Sequence, residues 1–265
     1  MYSKKLSHIT PIRGVNDDGL GKKHALSKLI RAVDSEFVWL HDDDVVLPAV
    51  IQRDAPLLEI DDTADLIILP LRMHSRNDRP SLIERLQIAE YQAIQNLTVS
   101  TAKNGHSIMC SGANLIVRRQ AWLACEPELH PEIPSGDDMF LLEAMKRHGR
   151  TIRVLDHPDY TAVVRPVGTW KALWRQRTRW AGKAPHYTDR DIRHYGALTL
   201  ILMTLQLLCP LFFVLYLPFE CHLIYGKNEQ KNQQYDFWDI LLLSVLYPYY
   251  ALACTIGGIM AKGEW

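Results

Sequence analysis

Three consecutive aspartates follow an apolar stretch early in the chain, and two of them have the spacing of a divalent-cation site. Asp42 and Asp44 come directly after residues 37–41 and can direct two carboxylates toward the same side of a turn. Mg²⁺ and Mn²⁺ are usually held by one or two carboxylates, with substrate phosphates completing the coordination shell. The pair therefore suggests a metal site acting on a phosphorylated substrate. A solvated acidic turn is the alternative that the tripeptide alone leaves open.

A second acidic pair, Asp137 and Asp138, falls in the first turn of a predicted helix that Ser135 can cap and Gly149 can end. A carboxylate held at a helix start can act as a general base, taking a proton from an attacking hydroxyl. Acidic residues in a first turn also stabilise the helix dipole, whatever the function. The two roles are compatible, because a base at a helix start is held rigidly.

A third group, Gln176, Arg179 and Trp180, lies just before an apolar tail. The arginine side chain can form a fork of hydrogen bonds to diphosphate oxygens, and tryptophan offers a flat face to a sugar ring. The surrounding stretch, residues 170–183, mixes tryptophans with basic residues and predicts an amphipathic helix at a membrane interface. Interface anchoring alone would explain the tryptophans but not the spacing of the glutamine before the Arg-Trp pair.

Two glycine-containing segments are less specific. Gly112 and Asn114 belong to a Ser-Gly-Ala-Asn sequence that by itself predicts only a turn. The segment 14–22 invites comparison with a phosphate-binding P-loop. It fails because that loop needs lysine directly after its second glycine, whereas Leu20 stands there.

Taken in order along the chain, these groups resemble the D-x-D, G-A-N, (E/D)-D and Q-x-x-R-W series of membrane-bound family 2 glycosyltransferases of the cellulose-synthase and poly-N-acetylglucosamine-synthase type. The resemblance covers roughly residues 14–195, and Gly21-Lys22 with Ala25-Leu26 resembles the family's G-K-x-x-A-L segment. It implies an inverting, Mg²⁺- or Mn²⁺-dependent transfer of a sugar from a nucleotide sugar, expected to be a UDP-sugar, to a polysaccharide or lipid-linked acceptor.

The resemblance also implies a role for each candidate residue. Asp44 would be the direct metal ligand and Asp42 the nucleotide-side contact that shares the metal, and Asp138 would be the general base. The residues implied to contact the donor diphosphate are Asp42, Asp44, Gln176 and Arg179, and those on the acceptor side are Gly112, Asn114, Asp137 and Trp180.

The chain departs from the family pattern in two respects. Asp137 replaces the common glutamate, and the strand and loop that bind the nucleotide base should precede Gly21 by some tens of residues. The first nucleotide-binding βαβ unit is therefore expected to be missing.

Two other functions stay open: a catalytically impaired fragment serving as a membrane scaffold, and a metal-dependent phospho- or nucleotidyl-transferase. The Gln-x-x-Arg-Trp group speaks against the latter.

The pattern of apolar residues predicts an α/β fold. The resemblance implies that its sheet is GT-A-like and Rossmann-like, mixed, and incomplete at its N-terminus. Helices are predicted over 20–33 and from a Ser81–Glu84 capping box to about Leu97, because apolar positions recur with helical period. The short apolar runs typical of buried strands are 37–40, 66–69, 115–117, 151–155 and 161–164.

Two stretches, 196–219 and 237–260, are apolar and long enough to cross a bilayer core of about 30 Å, with Asp239 the one charge in either. They predict a transmembrane hairpin in a multi-pass protein of the inner or plasma membrane. Buried core helices are the alternative.

The basic residues before the first span place the catalytic domain in the cytosol by the positive-inside rule. The predicted domains are 1–167 (catalytic), 168–195 (interfacial helix) and 196–265 (hairpin).

Composition limits the partners. Lys plus Arg and Asp plus Glu both number 30, so the chain has no net charge that would favour nucleic-acid binding. Its five cysteines show no C-x-x-C spacing, which argues against a zinc site and a disulfide framework.

Overall fold

The computed structural model of the chain divides into two compact units. The first consists of Met1–Arg72 with Thr98–Val164, and the second of Met73–Leu97 with Arg165–Trp265. Residues 73–97, which the sequence analysis placed in the catalytic domain, thus belong to the second unit. The structure describes residues 9–13, 22–52, 61, 63–133, 135–225 and 233–261.

Short strands, three to five residues long, supply the β structure of the described residues. Their bounds are β1 Ile9–Arg13, β2 Phe37–His41, β3 Leu66–Ile68, β4 Leu71–Met73, β5 Leu115–Arg118, β6 Ile152–Val154 and β7 Ala162–Val164.

The helices of the described residues range from a single turn to more than six turns. Their bounds are α1 Lys22–Ala32, α2 Ala49–Gln52, α3 Leu82–Lys103, α4 Arg119–Cys125, α5 Asp137–Arg147, α6 Trp170–Ala181, α7 Arg190–Leu208, α8 Pro210–Tyr225 and α9 Phe237–Met260.

Five strands form a mixed sheet in the first unit, in the order β1-β2-β5-β3-β6. β1 is parallel to β2 and β6 is parallel to β3, whereas β5 runs antiparallel to both of its neighbours. The predicted mixed α/β sheet is confirmed. The chain also forms β1 and a β1-α1-β2 arrangement, which the sequence pattern did not predict.

The interior strand β2 is buried along its whole length, as its run of apolar residues predicted. Trp39 is packed in the core, where its ring stacks on that of Tyr160 with the centroids 5.6 Å apart. Because β2 is hydrogen-bonded on both sides and covered on both faces, the turn that follows His41 has a fixed position.

In the second unit, the predicted capping box at the start of α3 is confirmed. The Ser81 N–H donates to Glu84 Oε2 at 2.8 Å, and the Glu84 N–H donates to Ser81 Oγ at 3.4 Å. The helix is longer than predicted, continuing to Lys103 instead of ending near Leu97.

The predicted first membrane span, 196–219, is wrong as a single helix. α7 ends at Leu208, Cys209 has extended backbone angles, and α8 begins at Pro210. Proline has no N–H and its ring disfavours a helical conformation for the preceding residue. A hydropathy count does not register this break, because the residues next to it, Leu207, Leu208 and Leu211, are apolar.

Among the described residues, α9 alone is long and apolar enough to cross a bilayer, and α8 offers a shorter apolar stretch, Leu211–Tyr225. Asp239, the charge predicted near the start of the second span, lies in the first turn of α9. It accepts from the Arg85 Nε–H, and its carboxylate also completes a capping box with Asp236.

α6 and α9 pack closely at a glycine pair in α9. A Cβ atom added at Gly258 would lie 2.6 Å from the Thr178 carbonyl oxygen and 2.6 Å from the Gly182 nitrogen. Such distances leave no room for a side chain, so the glycine permits this contact. The position of the Gln176-to-Trp180 group therefore depends on a helix far from it in sequence.

Candidate active site

The topology of the sheet brings two of the predicted groups to one edge. β2 ends just before Asp42, and β5 begins just after Asn114. Because the two strands are antiparallel, with Leu40 opposite Leu115, the end of β2 lies beside the start of β5. The Asp42–Asp44 turn and the Gly112 loop are consequently neighbours, as ligand-binding loops at strand ends commonly are.

A lysine lies among the acidic residues at this edge. Lys22, the first residue of α1, places its Nζ 2.7 Å from Asp42 Oδ1 and 3.8 Å from Asp137 Oδ2. Burial would lower the pKa of this ammonium, but Asp137, Asp42 and Asp138 together raise it above its usual value. The lysine is therefore charged. In the sequence, Lys22 matches only the family's G-K-x-x-A-L segment, whose Gly21 lies outside the described residues, and no role in the site was predicted for it.

The two aspartates at the start of α5 have different surroundings. Asp137 is buried, and this burial raises the pKa of its carboxyl, an effect that Lys22 opposes. Asp138 is only partly buried, and both of its oxygens accept from backbone N–H groups. Oδ2 accepts from Gly112 at 3.2 Å and Oδ1 from Met139 at 2.8 Å. These bonds orient the Asp138 carboxylate, and the position of both residues in the first helical turn is as predicted.

The helix cap differs from the prediction. Gly136 occupies the N-cap position with φ of +88°, a left-handed conformation that glycine adopts readily. The hydroxyl of Ser135, predicted to cap α5, is buried without a hydrogen-bond partner among the described residues. Because α5 begins at Asp137, Ser135 lies one residue before the N-cap position.

A cavity of about 120 Å³ opens at this edge of the sheet. Its polar lining comes from Lys22, His41, Asp42, Asp43, Gly112 and Asp137, and its apolar lining from Ile12, Leu26 and Leu40. Asp44 is exposed on the turn after β2. Asp138 is not part of the lining, but it is hydrogen-bonded to Gly112, which is.

The chemistry of these side chains suits a hard divalent cation. Carboxylate oxygens are the ligands that Mg²⁺ and Mn²⁺ prefer, and the Lys22 ammonium against Asp42 shows that this carboxylate already pairs with a cation. Within the part of the chain that the structure describes, no three His, Cys, Asp or Glu side chains converge on one point. Asp42 and Asp44 accordingly fit an ion that takes further ligands from phosphate and water.

Asn114, predicted to lie on the acceptor side, is a buried bridge within the first unit. Its Oδ1 accepts from Trp39 Nε1 at 2.9 Å, and its Nδ2 donates to the Pro70 and Tyr160 carbonyl oxygens at 2.8 Å each. Only 1 % of the Asn114 surface is exposed, and its amide oxygen and nitrogen already form hydrogen bonds with protein groups. Because Asn114 follows Gly112 by two residues, these hydrogen bonds help to hold the Gly112 loop in place.

Asn114→Ala should therefore destabilise the fold. The change leaves one buried N–H and two carbonyl groups without their partner, and we expect it to cost about 2 to 4 kcal/mol. Thermal unfolding should show a fall in melting temperature on the order of 5 to 15 °C. Asn104→Ala is the matched control, because the Asn104 amide makes one exposed bond to Ser100 O. Equal melting temperatures for the two variants would contradict the bridging role.

The third predicted group lies on α6 in the second unit. The helix starts as expected, with Thr169 Oγ1 accepting from the Ala172 N–H at 3.2 Å. Arg179 is exposed, and Gln176 and Trp180 are partly buried. The neighbouring Arg177, for which no role in the site was predicted from the sequence, is buried and paired with Glu90 of α3 at 2.6 Å.

Solved structures of two proteins are similar to this chain. Glucosyl-3-phosphoglycerate synthase from Mycobacterium tuberculosis, in complex with Mn²⁺, UDP-glucose and glycerol 3-phosphate, shows 16% identity over 61% of this chain with a TM-score of 0.35. This chain spans about half of that protein, 53% of its length. TarS 1–349 from S. aureus shows 13% identity over 92% of this chain and 70% of its own, with a TM-score of 0.36. Among curated protein sequences, none matches this chain.

A family model described as glycosyltransferase like family 2 matches residues 3–183, well over half of the chain. The match covers the Asp42–Asp44 turn, the Gly112 loop, the start of α5 and all of α6. The chain therefore belongs to glycosyltransferase-like family 2.

Proposed function

We propose that this chain transfers a sugar from a nucleoside diphosphate sugar, expected to be a UDP-sugar, to a hydroxyl of a glycan or lipid-linked acceptor, with inversion at the anomeric carbon. The observation that carries the proposal is the meeting of Asp42, Lys22, Asp137 and Gly112 around one cavity at the end of β2, with Asp138 bonded to its rim. This constellation occurs in a chain of a glycosyltransferase family.

On the donor side, Asp42 and Asp44 would hold Mg²⁺ or Mn²⁺. The ion, when bound, would neutralise charge that develops on the leaving diphosphate. Lys22 adds a tethered positive charge at the same place, within 2.7 Å of Asp42. Because Asp42 would then be shared with a divalent ion, the ammonium would be free to pair with phosphate oxygens instead.

On the acceptor side, Asp138 would be the general base. The acceptor oxygen forms its bond to the anomeric carbon as the bond from that carbon to the diphosphate oxygen breaks, and the hydroxyl proton passes to the Asp138 carboxylate. Two N–H donors orient this carboxylate, and it is more accessible than Asp137. The buried Asp137 would instead hold Lys22 in place, and Asn114 would support the loop that carries Gly112.

The proposal assigns Gln176 and Arg179 of α6 to the donor diphosphate and Trp180 to the acceptor sugar. The exposed Arg179 guanidinium is available for a bidentate contact with phosphate oxygens. The partly buried Trp180 ring can present one face to a sugar.

Attachment to the cytosolic face of a membrane is also proposed. The support is the many large apolar side chains exposed on α7, α8 and α9, since exposed apolar surface marks sites of interaction with a membrane or a partner. Examples are Ile201 on α7, Leu215 on α8, and Trp238 and Ile259 on α9, each more than half exposed. Trp170 and Trp174 on α6 are exposed too, as expected of a helix at a membrane interface.

The function can be tested by incubating the full chain, in detergent or lipid nanodiscs, with individual UDP- and GDP-sugars and Mn²⁺. We expect release of the nucleoside diphosphate from one donor or a few, accelerated by a glycan or lipid acceptor. Chelation of the metal with EDTA should lower the rate at least about 100-fold, since the ion stabilises the leaving group, and added Mn²⁺ should restore it.

Other products would select the alternatives. Release of a nucleoside monophosphate or pyrophosphate would indicate a phospho- or nucleotidyl-transferase. Failure to turn over any donor, in a chain whose melting shows that it is folded, would favour a scaffold.

A further inference from the structure

Arg177 and Glu90 form a buried ion pair in the second unit. The Arg177 Nη2–H donates to Glu90 Oε2 at 2.6 Å, and the two side chains are 6% and 8% exposed. Burial would lower the pKa of the guanidinium, but the neighbouring Glu90 carboxylate holds it above its usual value, so the arginine is charged. The residues are 87 positions apart, and the pair therefore fixes α6 against α3.

The same guanidinium contacts two residues of the predicted transferase motif. Its Nη1–H donates to Gln176 Oε1 at 3.0 Å, and its Cζ lies 4.2 Å from the centre of the Trp180 ring. One planar group thus holds a glutamine amide by its edge and a tryptophan by its face. A cation stacked on an aromatic ring is attracted to the face of that ring, which favours the ring orientation that keeps the contact.

We propose that Arg177, anchored by Glu90, is a positioning residue for sugar transfer: it sets the orientation of the Gln176 amide and the Trp180 ring. This inference rests on the proposed function, in which Gln176 serves the donor and Trp180 the acceptor. Neither Arg177 nor Glu90 touches substrate in this account. Their effect on the reaction passes through the two side chains that Arg177 holds.

A purely structural ion pair can be separated from a positioning device by replacing both partners. A buried ion pair can often be exchanged for apolar residues of similar size without loss of stability, whereas removing one partner leaves an uncompensated charge. The double variant Glu90→Leu/Arg177→Met should therefore fold, with a melting temperature close to that of the wild type. It also lacks the guanidinium that holds Gln176 and Trp180.

We expect this double variant to lose about 10- to 100-fold in kcat/KM for transfer, because small misplacements of substrate-binding groups carry losses of that order. Arg177→Lys should show a similar loss, since an ammonium cannot bond Gln176 and stack on Trp180 at once. Arg175→Met is the matched control, as Arg175 is exposed on the same helix. Its kcat/KM should stay within about twofold of the wild type.

A second readout does not depend on activity. The chain has seven tryptophans, and in protein labelled with 5-fluorotryptophan a Trp180→Phe variant identifies the Trp180 fluorine resonance. The Trp180 resonance should shift or broaden in Arg177→Lys and in the double variant, and stay in place in Arg175→Met.

The outcomes separate the inference from the function on which it rests. A folded double variant with wild-type kcat/KM would show that Arg177 is structural only, and an unmoved Trp180 resonance would likewise overturn the positioning role. Absence of transfer in the wild type would count against the proposed function alone. The resonance shift would then still establish that Arg177 orients Trp180.

Discussion

Asp138→Asn is expected to lose about 10²- to 10⁴-fold in transfer rate with little change in donor affinity, because asparagine cannot take the acceptor proton. The variant should remain folded. Both Asp138 oxygens accept from backbone N–H groups, and asparagine can keep one of these bonds. We expect the loss of the other to cost about 1 to 2 kcal/mol. Transfer rate, nucleotide-sugar affinity and melting temperature, measured on the same preparation, check the three parts.

Asp137→Asn is the companion variant. Asp137 is buried beside Lys22. The substitution should therefore chiefly lower donor affinity, because it alters the position of the Lys22 ammonium. If Asp138→Asn kept full activity and Asp137→Asn showed the large rate loss, Asp137 would be the general base. Full activity in both would leave the acidic pair as stabilisers of the helix dipole.

Local features of the site could be predicted from the sequence because each depends on neighbours in the chain. The apolar run at 37–40 requires a buried strand, and Asp42 and Asp44 must then follow the end of that strand. The start of α5 at Asp137 likewise follows from short-range pattern, although its cap was assigned to Ser135 instead of Gly136. The residue at which the helix begins decides this, and residue types alone did not show it.

Contacts between distant residues could not be predicted in this way. Lys22 lies 20 residues from Asp42, and Arg177 lies 87 residues from Glu90. Pairing at such distances depends on how strands and helices pack, and a single sequence carries no local pattern for it. Asn114 shows the same limit, since its type is suited equally to binding a sugar and to bridging buried backbone groups.

The apolar tail illustrates a different limit. The stretch 196–219 is apolar on average, and its hydropathy predicts one span. The helix nevertheless breaks at Cys209, because Pro210 can begin a helix but disfavours helical geometry in the residue before it. The backbone constraint that Pro210 places on Cys209 thus outweighs the apolar mean hydropathy of the whole stretch.

Asp44→Asn is expected to abolish metal-dependent nucleotide binding and to lower the transfer rate at least about 100-fold. A neutral amide is a weaker ligand than a carboxylate for a hard divalent ion, and charge neutralisation of the leaving diphosphate depends on that ion. Asp44 is exposed on its turn, so the change should leave the melting temperature within about 1 °C of the wild type. Asp34→Asn is the matched control, because Asp34 is an exposed aspartate before the other end of β2.

The most direct test of the acidic edge of β2 as the donor site is a calorimetric titration of UDP into the full chain. With Mn²⁺ present, we expect the wild type and Asp34→Asn to bind UDP with the same affinity. Both should lose at least about tenfold in affinity when EDTA replaces the metal. Asp44→Asn should show the weak, metal-independent affinity under both conditions. Metal-dependent UDP binding of wild-type strength in Asp44→Asn would contradict the assignment of the nucleotide-sugar site to this edge.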